Sequence, residues 1–276
     1  MLQVRFWGTR GSTAPFNSSA EFGCHTTAVE VAGESGDPVF IDLGTGIAPA
    51  AEAALARGVR RFTVFLTHLH LDHVCGACAF APLFRHDCST TIYSEHAGTL
   101  EALRQVLSPP LFPVRYDGFG AQARLDELPE SGEMACPDRG FSITWRPAAH
   151  PQGVTTLRFD DGANAFVFAT DIELQAAVAN QAFERLLREP YPATLVALDG
   201  FFAGMGQDYH ENWGHSTCAQ ALEVATRNQV GCLVVTHHNP RYSDAQLRGL
   251  EAAAGGVRWA RDGQRWRIAD GHAQEA

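Results

Sequence analysis

The sequence predicts an α/β chain, of the α+β type, in which two β-sheets pack face to face with helices outside. Short apolar runs rich in Val, Ile, Phe and Thr recur along the 276 residues, each bounded by Gly, Pro or Asp. Stretches of helical periodicity separate some of these runs. The runs also gather toward both ends of the chain, which a simple doubly wound sheet does not require.

Taken in order, strands are expected at Gln3–Trp7, Thr26–Val31, Val39–Leu43, Arg61–Leu66 and Thr91–Tyr93. Further strands are expected at Phe141–Arg146, Val154–Phe159, Ala165–Ala169, Thr194–Leu198 and Cys232–Thr236. Asp160-Asp-Gly-Ala163 has the turn chemistry to join two of these as a hairpin. Arg261-Asp-Gly-Gln264 is expected to do the same for Val257–Ala260 and Arg265–Ile268. Helices are expected at Ala48–Arg57, Ala97–Leu107, Gln175–Leu187, Thr217–Asn228 and Asp244–Ala254, with Ser216 and Ser243 capping the last two. The Pro-rich piece Ser108–Pro113 reads as a rigid surface connection, so residues 1–276 are expected to form one domain.

Charge and cysteine content narrow the function classes. Lys and Arg number 21 against 31 Asp and Glu, a net charge of −10. That balance argues against a broad nucleic-acid surface, which needs a basic face. The start, Met1 to Trp7, has no basic region followed by an apolar signal core, and no stretch approaches the roughly 20 apolar residues of a membrane span. Seven cysteines, without a secretion signal, read as reduced thiols and a cytoplasmic protein. Cys75 and Cys78 fall in the apolar helix expected at Val74–Phe80, and read there as buried small residues rather than a redox pair.

The chemistry is concentrated in His68-Leu69-His70-Leu71-Asp72-His73, directly after the apolar strand from Arg61. Alternate side chains at a strand end point the same way, so His68 and His70 can grip one ion. Asp72 and His73 fall where the chain turns and can face a second ion. Imidazole with carboxylate suits Zn, Mn or Fe better than Ca. Two ions need more ligands, and three lone residues stand directly after apolar strands: His150, Asp171 and His237. Any one alone is more often a cap or a solvent-facing group. Together, beside the first cluster, they read as ligands.

This ordered set, His-x-His-x-Asp-His then His, Asp and His, resembles the metallo-β-lactamase superfamily along nearly the whole chain. The resemblance implies a four-layer αββα sandwich with the metals at one edge. It implies that His68, His70 and His150 hold one ion, that Asp72, His73 and His237 hold the other, and that Asp171 bridges them. Two divalent transition-metal ions follow, zinc first and manganese or iron as alternatives. Zinc lowers the pKa of bound water from about 15.7 to about 7, which supplies a hydroxide nucleophile at neutral pH.

Other segments resemble the phosphodiesterase branch, which includes RNase Z and the bacterial phosphoribosyl cyclic phosphate phosphodiesterases. They are Trp213-Gly-His215-Ser-Thr217, the run Thr236–Ser243, Phe6–Ser12, Phe22–Val31, Ile41–Gly46 and Pro109–Pro113. This likeness implies His215 as general acid, Asp199 orienting it, and Asp72 also orienting the nucleophile. Protonation matters because an alkoxide leaves poorly, and histidine can carry that proton near neutral pH. Gly8–Ser12 could bring backbone N–H groups to a phosphate, although glycine turns are more often only conformational.

The likeness has departures. His25 stands where the family often has Asn, and Gln152 where Gly is common. RNase Z carries a long basic arm for tRNA, whereas only 21 positions separate His150 from Asp171 and no Lys/Arg-rich arm stands elsewhere. The expected substrate is therefore a small or cyclic phosphodiester and not long nucleic acid, with no membrane association and a homodimer allowed. The alternatives are a thioester or lactone hydrolase of the same fold, or a non-catalytic metal-bound sensor. His238, Arg241 and Tyr242 stay open between structural and substrate-facing roles. His86, His96, His210 and His272 carry no assignment.

Overall fold

The computed structural model describes residues 1–16, 21–113, 115, 123–176, 180–206 and 210–276. The first half of the chain forms β1 (Leu2–Gly8), β2 (Ala28–Ala32), β3 (Val39–Ile41), α1 (Ile47–Ala56), β4 (Arg61–Phe65), α2 (Leu71–Val74), β5 (Ser89–Ser94), α3 (Thr99–Val106) and β6 (Ala123–Glu127). Next come β7 (Gly132–Cys136), β8 (Phe141–Ala148), β9 (Val154–Asp160), β10 (Ala165–Ala169), α4 (Gln181–Arg188) and β11 (Leu195–Asp199). The chain continues with α5 (Cys218–Arg227), β12 (Leu233–Thr236), α6 (Asp244–Ala253), β13 (Arg258–Trp259), β14 (Arg265–Ala269) and β15 (His272–Glu275).

Among the described residues one sheet runs β15-β14-β1-β2-β3-β4-β5-β6 and the other β13-β12-β11-β10-β9-β8-β7. The period-2 alternation of strands places each face. In β10, Phe166 and Phe168 enter the core between the sheets, while Ala165, Val167 and Ala169 face α4, α5 and α6. In β4, Phe65 enters the central core while Phe62 and Val64 pack toward α1 and α3. The result is the expected αββα sandwich, the fold of metallo-β-lactamases. Strands β3 to β6 run parallel, and so do β10 to β13. No helix among the described residues is long and apolar enough to cross a membrane.

Several local expectations need correction. Thr217, not Ser216, caps α5: its side chain accepts from Gln220 N–H, and the Gln220 side chain answers at the Thr217 N–H. The Ser216 hydroxyl is already committed, donating to Ile172 O at 2.5 Å. Ser243 does cap α6. The helix expected from Gln175 begins at Gln181, and residues 177–179 lie outside the described residues. The segment Val74–Phe80 is the end of a single α-turn followed by a 3₁₀ turn, with Cys75 half-buried and Cys78 exposed rather than buried.

Asp160–Ala163 does close the β9–β10 hairpin. Arg261–Gln264 does not close another, because β13 joins one sheet and β14 the other. That turn spends its groups elsewhere: Asp262 accepts from Cys24 N–H and His25 N–H, and Gly263 N–H donates to Phe6 O at 2.7 Å. Strands β6, β7 and β15 were not expected, since their charged and small residues break the apolar alternation.

The inter-sheet core makes a direct prediction. Phe168→Ala, at a fully buried position, should cost about 3–5 kcal/mol in urea unfolding. Leu222→Ala, on the exposed side of α5, should stay within about 0.5 kcal/mol.

Candidate metal centre

The C-terminal ends of the parallel strands meet at the seam between the two sheets, where open α/β sheets place their ligand crevices. Asp42 follows β3 and His68 follows β4 in one sheet. Asp171 follows β10, Asp199 ends β11 and His237 follows β12 in the other. Asp42, Asp171 and His237 adopt left-handed backbone angles, φ of 63°, 57° and 61°. Such angles cost about 1–3 kcal/mol for a non-glycine residue and gather where side-chain placement is over-determined.

The expected residues come together. Ligand atoms of His68, His70, His150 and Asp171 lie within 4.8 Å of one another, as do those of Asp72, His73 and His237. Asp171 touches both groups. Its Oδ1 is 3.8 Å from His68 Nε2 and 3.2 Å from His237 Nε2, and its Oδ2 is 3.2 Å from His73 Nε2. None of these contacts is aligned as a hydrogen bond. His68 Nε2, His73 Nε2, His237 Nε2 and Asp171 Oδ2 are buried without a hydrogen-bond partner. Orphaned polar atoms are costly and rare, so four aimed at one spot mark a place for a cation. The donor set, imidazole with carboxylate, suits a transition metal.

The far side of each ring is held. His73 Nδ1 donates to Asp42 Oδ2 at 2.8 Å, and Asp42 also accepts from Thr67 N–H at 2.7 Å. Thr67 Oγ1 lies 3.1 Å from His68 Nδ1, and Thr27 Oγ1 lies 3.3 Å from His237 Nδ1. His150 Nδ1 reaches Gly214 O at 3.4 Å. His70 is turned the other way round. Its Nε2 donates to Gln152 Oε1 at 2.6 Å, leaving Nδ1 facing His150. Gln152, a departure from the family pattern, therefore orients His70. Backing partners of this kind fix the tautomer and raise ligand basicity.

Electrostatics agree with that reading. Burial pushes His68 well below its ordinary pKa, with His73 adding to the shift, and burial lowers His150 to about 4. Both are then neutral, the ligating form. Burial opposes charge on His73 too, yet the carboxylates of Asp72, Asp171 and Asp42 outweigh it and hold the ring well above its ordinary value. Burial likewise opposes ionisation of Asp72 and Asp171, but surrounding imidazoles hold both below the usual carboxylate range. The carboxylates draw positive charge to whatever sits among them.

His215 and Asp199 form a pair at the edge of this cluster. His215 Nδ1 donates to Asp199 Oδ2 at 3.1 Å and lies 3.8 Å from Asp171 Oδ1. Burial would lower its pKa, but the Asp199 carboxylate outweighs burial and raises it. Phe201 stacks on the ring at 4.2 Å between centroids. Asp199 Oδ2 also accepts from Asp171 N–H, and Oδ1 accepts from Ser216 N–H, so it ties the pair to the ligand loop.

Residues left open find their places. His238 is buried, donates Nε2–H to Ala260 O at 2.8 Å and stacks on Trp259, which makes it structural. The Tyr242 hydroxyl accepts from Ala203 N–H at 3.0 Å, and Arg241 is exposed. His25 lies beside Cys24 and Asp262, apart from the main cluster. The Gly8–Ser12 turn meets the ligands themselves: Ser12 N–H donates to Asp72 Oδ2 at 2.7 Å. A Cβ on Gly11 would stand 2.3 Å from the His237 ring. His96 Nε2 donates to Thr67 O at 2.6 Å. Sequence reasoning missed Asp42, Thr67 and Thr27. Asp42 does carry a signal, an acid at the end of an otherwise apolar strand within the Ile41–Gly46 run.

The family described as Beta-lactamase superfamily domain matches residues 38–238, which include every one of these side chains from Asp42 to His237. The chain belongs to the beta-lactamase superfamily. Among curated relatives, a Ribonuclease Z of Bradyrhizobium diazoefficiens is 26% identical, with 90% of this chain and 93% of that protein covered. Among solved structures, the metallo-beta-lactamase fold protein YhfI from Bacillus subtilis superposes with a TM-score of 0.68 at 19% identity, covering 97% of this chain and all of that one. A diphosphatase from the PhnP family superposes with a TM-score of 0.68 at 18% identity, covering 99% and 97%. The superfamily fold and the His/Asp cluster together imply divalent metal ions.

Because Asp42 holds His73, Asp42→Asn should lower metal affinity roughly 10–100-fold, measured by competition with a chelator. Asn tolerates the left-handed backbone, so the fold should survive. Unchanged affinity would remove Asp42 from the site.

Proposed function

We propose that the protein is a metal-dependent hydrolase of phosphodiesters, acting on a small or cyclic substrate with His215 as general acid. One observation carries this reading: a buried His215–Asp199 pair stands 3.8 Å from Asp171, beside the four orphaned ligand atoms. His68, His70 and His150 would hold one ion and Asp72, His73 and His237 another, with Asp171 reaching both. An imidazole set with carboxylates favours zinc, with manganese or iron as alternatives. Such ions, when bound, supply Lewis acidity and bring the pKa of water toward neutrality.

This chain's own residues account for the rest. Asp199 accepts the Nδ1 proton of His215, which leaves Nε2 to deliver a proton to the leaving oxygen. Phe201 fixes the ring plane and keeps water off that face. Asp72, fixed by the Ser12 N–H, orients the attacking water. Seven free thiols fit a reducing, cytoplasmic setting.

The Ribonuclease Z relative names an RNA-cleaving protein, which pulls against a small substrate. Two features favour the smaller one. The net charge of −10 works against a broad basic face. The 20 residues between His150 and Asp171 are filled by β9, β10 and their tight connections, with no room for an arm.

Turnover tests both parts. His215→Ala should lower kcat on a 2′,3′-cyclic nucleotide about 10²–10⁴-fold with metal content unchanged. The loss should be much smaller on bis-p-nitrophenyl phosphate, whose leaving group needs little protonation. Equal turnover of the cyclic nucleotide by variant and parent would remove His215 as the acid. Faster cleavage of a transfer-RNA substrate would overturn the small-substrate reading, and activity confined to thioesters or lactones would overturn phosphodiester chemistry.

A further inference from the structure

A charged cavity, about 680 Å³, lies at the opposite end of β3 and β4 from the metal centre. Its floor is the outer face of β14, β1 and β2, beyond the end of α1. The sheet register sets Arg265 directly opposite Arg5, and Arg5 directly opposite Glu30. Like charges facing each other across a strand pair are destabilising.

Glu30 relieves them only in part. One of its oxygens accepts from Trp7 Nε1 at 2.8 Å, and the other is paired with Arg57. Arg5 lies over the Trp7 ring, 3.5 Å from its centroid, which fixes the guanidinium in place. Its Nε is buried with no partner. No carboxylate among the described residues pairs with Arg5 or Arg265. Burial and the nearby charges of Arg265 and Arg57 make the protonated form of Arg5 harder to hold than usual, and the Glu30 carboxylate offsets this only partly. The groove gathers Arg5, Arg57, Arg265 and Arg267 against the carboxylates of Glu30 and Asp37, and Asp37 is paired with Arg61.

We propose that this groove is a binding site for a small phosphate-bearing anion, a phosphomonoester held between the guanidiniums of Arg5 and Arg265, with Arg57 at the rim. Paired arginines match the two charges of a phosphomonoester, and each planar fork can meet its oxygens bidentately. The volume falls within the range of small-molecule sites, roughly 300–1,000 Å³. An anion here would turn a repulsive cross-strand pair into a bridged one. The site is separate from the metal centre and does not depend on the reaction proposed there.

Protection from phenylglyoxal, read by peptide mass spectrometry on the metal-loaded protein, locates binding by residue. AMP and inorganic phosphate should each protect Arg5 and Arg265 saturably while leaving exposed Arg124 on β6 unaffected. Protection at lower concentration by AMP identifies a nucleotide-like ligand, and equal protection identifies the phosphate alone. Arg265→Gln, at an exposed position that leaves folding intact, should weaken protection of Arg5 about tenfold, with Arg265→Lys in between. The proposal is overturned if sodium chloride at matched ionic strength protects equally. It is also overturned if Arg265→Gln changes nothing, or if only a long oligonucleotide protects.

Discussion

Asp171 carries a buried carboxylate within 4 Å of His68, His73, His215 and His237, on a left-handed backbone turn between two sheets. A buried carboxylate is expensive unless positive charge compensates it. Here Asp42, Asp72 and Asp199 crowd the same seam, so the compensation must be substantial. Imidazoles facing inward with orphaned nitrogens supply it only in part. The arrangement is physically reasonable when cations complete it, and the rest of the site serves to hold that geometry.

The fold meets this demand by ending parallel strands of both sheets at one seam. Apolar alternation locks β4, β10 and β12 into the cores, so the residues just past their ends have little freedom. Hydroxyls and carbonyls of Thr27, Thr67 and Gly214 then grip the outer nitrogens of the rings. Close approach also fixes residue choice. A Cβ on Gly214 would stand 1.9 Å from His150 Nδ1, so glycine is needed where the His215 loop passes that ring.

Much of this was legible in the sequence because strand ends and ligand residues coincide. Runs such as Ala165–Thr170 announce a buried strand, and an Asp placed directly after one has few structural uses. Less legible were groups whose function depends on a partner distant in sequence. Asp42 and His73 are 31 residues apart, and no periodicity links them. Gln152 looked like a departure until the inverted orientation of His70 gave it a partner. The expected final hairpin does not form because turn chemistry specifies a reversal, not the sheet that receives the next strand. Strands β6, β7 and β15 escaped notice because pairing to a neighbour holds them, rather than an apolar face of their own.

The His and Asp cluster points to divalent-metal chemistry, and in the proposed function the His215–Asp199 pair gives that chemistry a direction. Both rest on cations occupying the seam. Elemental analysis of the purified protein tests this most directly. The account predicts about two equivalents of a divalent transition metal per chain, falling to one or fewer in Asp171→Ala. Protein that is folded but holds no transition metal, even after incubation with zinc or manganese, would contradict it.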